Sequence, residues 1–180
     1  MDSNLESIFL SLAEIGDLLG IFITWLFVFT FLYNLSAAIN KPDNSRTQLS
    51  FIMMISYTLT LYIYAYTPSV YLQLFAFDVA TIIVIFIWRK YFGKIISIGF
   101  YYLIVGLTTN AIFFMAMHID TIIQPYDGYW WLWGVYGLVV PLVDLTMAVV
   151  LIVNKDILGL VKFKNTVINR KNKAGEIRKV

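Results

Sequence analysis

Read for hydrophobic and polar positions, the chain is a series of long apolar runs separated by short polar breaks. Apolar stretches cover about residues 18–39, 49–66, 70–88, 95–117 and 130–153. At 1.5 Å per residue each is long enough, or nearly so, for a hydrocarbon layer of about 30 Å, so the pattern predicts five membrane-spanning helices. Strands are excluded, because a barrel strand needs only about ten alternating residues. The breaks carry turn-forming chemistry: Asn40-Lys-Pro-Asp-Asn-Ser-Arg46, Thr67-Pro68-Ser69, Arg89-Lys-Tyr-Phe-Gly-Lys94, and a loop over 118–129 containing Pro125 and Gly128.

Upstream of the first run, Leu5, Ile8, Phe9, Leu12 and Ile15 recur at helical spacing, which predicts a short amphipathic helix over 1–17 lying at the interface. Asp2, Glu6, Glu14 and Asp17 stand there without Lys or Arg, so the basic start of a secretory signal peptide is missing. The fifth run opens with Trp130, Trp131 and Trp133, rings suited to headgroup depth.

Composition supports the same class. With 60% hydrophobic and 13% charged residues in a chain of 180, the sequence is that of an all-α polytopic membrane protein, one bundle followed by a basic tail over 155–180. The absence of Cys removes disulfides, thiolate metal sites and palmitoylation of Cys.

The net charge of +2 says little, but its placement says much. All 13 basic residues fall in the first loop, the third loop or the tail, which five crossings place on one side. The other side receives six acids and no Lys or Arg. The positive-inside rule then predicts an external N-terminus and a cytoplasmic C-terminus in a plasma or bacterial inner membrane. The tail residues Lys162, Lys164, Arg170, Lys171, Lys173, Arg178 and Lys179 are expected to touch anionic lipid at the cytoplasmic face or to recruit a cytosolic protein; nucleic acid is not the expected partner.

Candidate chemistry lies inside the runs. Asp78 is ten residues before Trp88 and Asp144 ten before Asn154, so both carboxyl groups belong about 15 Å from the cytoplasmic edge. Helical spacing groups Tyr71, Asp78, Ile82 and Arg89 on the third helix and Trp133, Gly137, Pro141, Asp144 and Ala148 on the fifth. It groups Gly99, Leu103, Gly106 and Asn110 on the fourth. The third, fourth and fifth helices are therefore expected to bring Asp78, Asp144 and Asn110 together, with Thr81 and Thr109 as further partners. An isolated charge at that depth costs about 3 kcal/mol on insertion scales, so each acid should be paired, hydrated or neutral.

Two functions fit this pattern. One is a small channel or transporter passing protons or a small cation by way of Asp78 and Asp144, as a homo-oligomer because five helices leave little room for a pore. The other is a non-conducting anchor or sensor subunit that recruits a cytosolic partner through its tail. Enzymatic activity is not expected. His118 is the only histidine, which serves haem, metal or triad chemistry poorly, and no phosphate-binding glycine loop or nucleophile elbow occurs. An intramembrane aspartyl protease would also need two facing acids, but Pro141-Leu-Val143 precedes Asp144 where that family is glycine-rich. No Lys lies inside a run for a Schiff base and no run carries spaced arginines, so neither a cofactor nor a bound metal is expected. Tyr57 is one of several aromatic residues that a pigment or quinone site would need; Tyr62, Tyr64, Tyr66 and Tyr71 are read as an interfacial belt.

Overall fold

A computed structural model describes residues 3–39, 44–63, 69–92, 97–123 and 131–166, with side chains from Leu18 onward. Among these residues all regular structure is helical. The five long helices are α1 (Ser3–Ala38), α2 (Ser45–Ile63), α3 (Val70–Tyr91), α4 (Ile98–His118) and α5 (Trp131–Val153). A single wider π turn, Ile119–Ile123, continues α4.

Four segments are long and apolar enough to cross a membrane: Leu18–Ala38, Val70–Tyr91, Ile98–Ile123 and Trp131–Val153. α2 differs in composition, because Arg46, Thr47, Gln48, Ser50, Ser56, Thr58 and Thr60 dilute its apolar content. Its 19 residues still extend about 28 Å.

Two boundaries differ from the sequence pattern. α1 is unbroken from Ser3 to Ala38, so the amphipathic segment runs directly into the apolar run. Nothing in 15–20, Ile-Gly-Asp-Leu-Leu-Gly, forces a turn, and glycines spaced singly, as Gly16 and Gly20 are, are tolerated within a helix. The fourth helix likewise continues past Met117 through Ile123, because Ile119, Thr121, Ile122 and Ile123 are compatible with helix; the expected breaker Pro125 lies outside the described residues.

The helices close into a ring in chain order. α1 packs on α2, α2 on α3, α3 on α4, α4 on α5, and α5 returns to α1. Successive helices are antiparallel, as their side-chain pairs show. Along α1 and α2, Phe31 meets Phe51 while Phe27 meets Tyr57; along α3 and α4, Arg89 lies over Phe100 while Leu74 packs with Phe114. An odd number of alternating helices closes only through one parallel contact, and that contact is α1 against α5.

The ring is filled rather than hollow at its main core. Phe27, Leu49, Met53, Ile85, Leu103 and Leu107 are fully buried there, joined by Met147, Ala148 and Leu151. A smaller cluster, Leu74, Phe114 and Val140, lies toward the other end, flanked by the edge-on rings of Tyr71 and Tyr136 at 5.7 Å. Close approach of α4 to α5 depends on glycine. A Cβ on Gly99 would come within 2.9 Å of Leu151 Cδ2, and one on Gly106 would overlap Met147. Outward, Phe22, Trp25, Phe29, Ile83, Phe86 and Leu138 expose large apolar side chains, the inside-out surface expected of a lipid-facing bundle.

α5 ends where Asn154 takes a left-handed backbone (φ 53°) and its N–H closes onto Val150 O at 2.9 Å. The chain then folds back on the base of α4. Tyr102 Oη donates to Asp156 Oδ1 at 2.7 Å and accepts from the Leu158 N–H at 2.6 Å. That phenol, with the N–H groups of residues 160–162, holds the Asp156 carboxyl below the usual carboxylate range. A short helical stretch, 160–166, follows, and Lys164 Nζ donates to Tyr101 Oη at 2.5 Å while lying 4.1 Å from that ring's centre.

Candidate functional site: a buried carboxyl cluster

The three residues that interrupt the apolar runs most sharply are buried: Asp78 is 7% exposed, Asp144 5% and Asn110 1%. Each sits on the inward stripe of its helix. On α3 that stripe is Leu74, Asp78, Thr81 and Ile85; on α4 it includes Gly99, Leu103, Gly106 and Asn110; on α5 it is Val140, Asp144, Met147 and Leu151.

Asp144 is the hub. Its Oδ1 accepts from Asn110 Nδ2 at 2.6 Å and from Tyr57 Oη at 2.5 Å, so one carboxyl oxygen ties α5 to α4 and α2. Two donors on one oxygen use both of its lone pairs. Asp78 stands within electrostatic range of both Asp144 and Tyr57. The α3–α4 register, set by Leu74 with Phe114 and by Arg89 over Phe100, places Asp78 across from Asn110. One turn along α3, Thr81 Oγ1 shares a 2.6 Å hydrogen bond with Ser56 Oγ and donates back to Phe77 O at 2.8 Å. Asp78 Oδ2 and Asn110 Oδ1 are buried without a hydrogen-bond partner.

The structure therefore places Asp78, Asn110, Asp144 and Thr81 in one region, and it adds Tyr57 and Ser56 from α2. Thr109 is elsewhere: its hydroxyl donates to Val105 O at 2.9 Å on the half-exposed side of α4, lining a shallow groove of about 190 Å³ with Leu142 and Thr146. The predicted close-contact face of α5 is also displaced. Asp144 and Ala148 on that face are buried, but Gly137 is exposed with nothing within 4 Å of where a Cβ would stand, and Trp133 is exposed with its indole N–H donating to Asp120 Oδ2 at 2.8 Å. At about 100° per residue, burial is centred about 60° from the middle of that face, on Val140, Met147 and Leu151.

The sequence names Tyr57 only as lining for a pigment or quinone site and does not connect it with the carboxyl cluster. Its position was the available signal: it lies 12 residues after the start of α2 and six before its end, next to Ser56 and near Thr60. Of the tail residues, Lys162 is exposed and its N–H donates to Asp156 Oδ2 at 3.0 Å, while Lys164 is held on Tyr101. Arg170, Lys171, Lys173, Arg178 and Lys179 lie outside the described residues.

Comparison with known protein families, characterised proteins and solved structures finds no match. The class that the fold defines is therefore stated at its own level: an all-helical integral membrane protein, with four helices apolar and long enough to span a bilayer.

Proposed function

We propose that the chain crosses the membrane five times, N-terminus outside and C-terminus in the cytoplasm, and that its central carboxyl pair passes protons or a small cation between the two sides. The fifth crossing is α2, whose length of about 28 Å and place between α1 and α3 in the ring match a spanning helix. The observation that carries the functional reading is the pair itself. Two carboxyl groups more than nine-tenths buried lie in one cluster, and one of them has an oxygen with no partner. Packing alone is served by Asp144, which already joins three helices; Asp78 adds a costly buried acid with no bond that holds the bundle together.

The filled core excludes a wide aqueous lumen within one ring. Passage through a single chain would thus proceed by proton transfer or by a dehydrated ion. Association of several copies is part of the same proposal, because it would supply a hydrated approach between rings. The membrane is a plasma or bacterial inner membrane in this reading.

Reconstitution into liposomes tests it. Proton or cation flux is expected from the native protein, and Asp78→Asn and Asp144→Asn should each lower it at least roughly tenfold, the effect of removing one charged ligand from a low-dielectric site. Unchanged flux in both variants would reject conduction through the pair. A second reading, a non-conducting subunit that holds a cytosolic partner, would then stand on the tail clamp, where Tyr101 and Tyr102 fix Lys164 and Asp156 to the bundle.

A further inference from the structure

Inside the central cluster two atoms accept hydrogen bonds and receive none. Asp78 Oδ2 and Asn110 Oδ1 are both buried without a partner, on side chains 7% and 1% exposed. Unpaired atoms on side chains this deeply buried call for a physical explanation, and these two stand in one cluster. Asn110 is not free to turn: its Nδ2 donates to Asp144 Oδ1, so its carbonyl oxygen must point away from that atom. The α3–α4 register sets Asp78 on the facing helix at the same level.

Two acceptors brought together repel each other unless a proton on the Asp78 carboxyl or another cation lies between them. The basic side chains described near the bundle are engaged at one end of it: Arg46 reaches Ile152 O at 3.5 Å, Arg89 covers the Phe100 ring at 4.8 Å, and Lys164 bonds Tyr101. Asp144 is compensated locally by Tyr57 and Asn110. Asp78 has no such donor on its Oδ2.

We infer that the space between Asp78 Oδ2 and Asn110 Oδ1 is a binding site for one dehydrated monovalent cation of the sodium class. This rests on the conducting reading and names its substrate. The ligand chemistry is that of a hard ion: a carboxylate, an amide oxygen and, one turn away, the Ser56–Thr81 hydroxyl pair. No group of three His, Cys, Asp or Glu converges among the described residues, so a tight divalent or transition-metal cage is not built here. One carboxylate facing the gap balances one positive charge.

The test uses the purified full-length chain in nanodiscs, with NaCl exchanged for choline chloride at constant ionic strength and pH. Saturable binding of one radioactive sodium ion per chain is expected, with an apparent Tm that rises with the logarithm of sodium concentration, as linkage requires. Asp78→Asn should weaken binding by roughly tenfold or more, and Asn110→Leu should also weaken it. Tyr62→Phe, on a residue 83% exposed, should leave it unchanged. The native protein suffices if the variants do not fold. Equal Tm in sodium and choline, or stabilisation that follows pH and ignores sodium, would overturn the cation site in favour of a proton on Asp78. Sodium binding without flux in liposomes would keep this site and reject conduction, and sodium-independent proton flux would do the reverse.

Discussion

At the scale of single residues, the centre of the molecule is a set of hydrogen bonds that water cannot replace. Tyr57 and Asn110 both serve Asp144 Oδ1, so removing either leaves the other as the only donor to that oxygen. Hydrogen bonds between helices in membranes contribute about 0.6–2 kcal/mol. Tyr57→Phe should accordingly lower stability against detergent denaturation by about 1–2 kcal/mol, while Tyr62→Phe at the exposed surface should change it by less than about 0.5 kcal/mol. Equal effects from the two would mean that Tyr57 carries no structural bond. Asp78, Asp144 and Asn110 were legible in the sequence because each is the only strongly polar group in its stretch of an apolar run. Tyr57 was not, since its ring is apolar enough to fit any helix and only its position sets it apart. Thr109 misled for the opposite reason. A threonine in a helix can satisfy its hydroxyl on the carbonyl four residues back, and Thr109 does so on Val105, leaving no need for the cluster.

At the scale of elements, the phase of each helix decides which residues meet. The ideal spacing of about 100° per residue places Asp78 equally well with Tyr71 and Ile82 or with Leu74, Thr81 and Ile85. The second set is the buried one, because α2 and α4 flank α3 and draw Thr81 onto Ser56. α5 shows the same ambiguity and resolves it away from Gly137. The stripe on α4 was readable, because Gly99 and Gly106 are the only positions where the helix surface is concave enough to admit Leu151 and Met147. This sets a paired expectation. Gly106→Ala should cost about 1–3 kcal/mol through overpacking against Met147, whereas Gly137→Ala, facing open space, should be neutral or slightly stabilising. Thermal unfolding of the two variants in one detergent checks this, and a neutral Gly106→Ala would contradict the overpacking by showing that the Met147 side chain swings aside.

At the scale of the whole molecule, the ring is a consequence of chain direction and odd number, which no periodicity within a single helix can reveal. The sequence pattern marks which face of a helix is buried but not which neighbour covers it, so α2 entering between α1 and α3 and delivering Tyr57 to Asp144 became visible only in three dimensions. Everything proposed for the cluster depends on α2 crossing the bilayer, since a helix lying elsewhere would remove Tyr57 and Ser56 from mid-depth. The chain contains no Cys, so single cysteines can be introduced without background. The decisive measurement is labelling of Asn44→Cys, Ser69→Cys and Asn154→Cys in intact cells with a membrane-impermeant maleimide. The account predicts that Ser69→Cys reacts from outside while Asn44→Cys and Asn154→Cys react only after permeabilisation. Labelling of Ser69→Cys from the same side as Asn44→Cys would contradict it, by showing that α2 does not span the membrane.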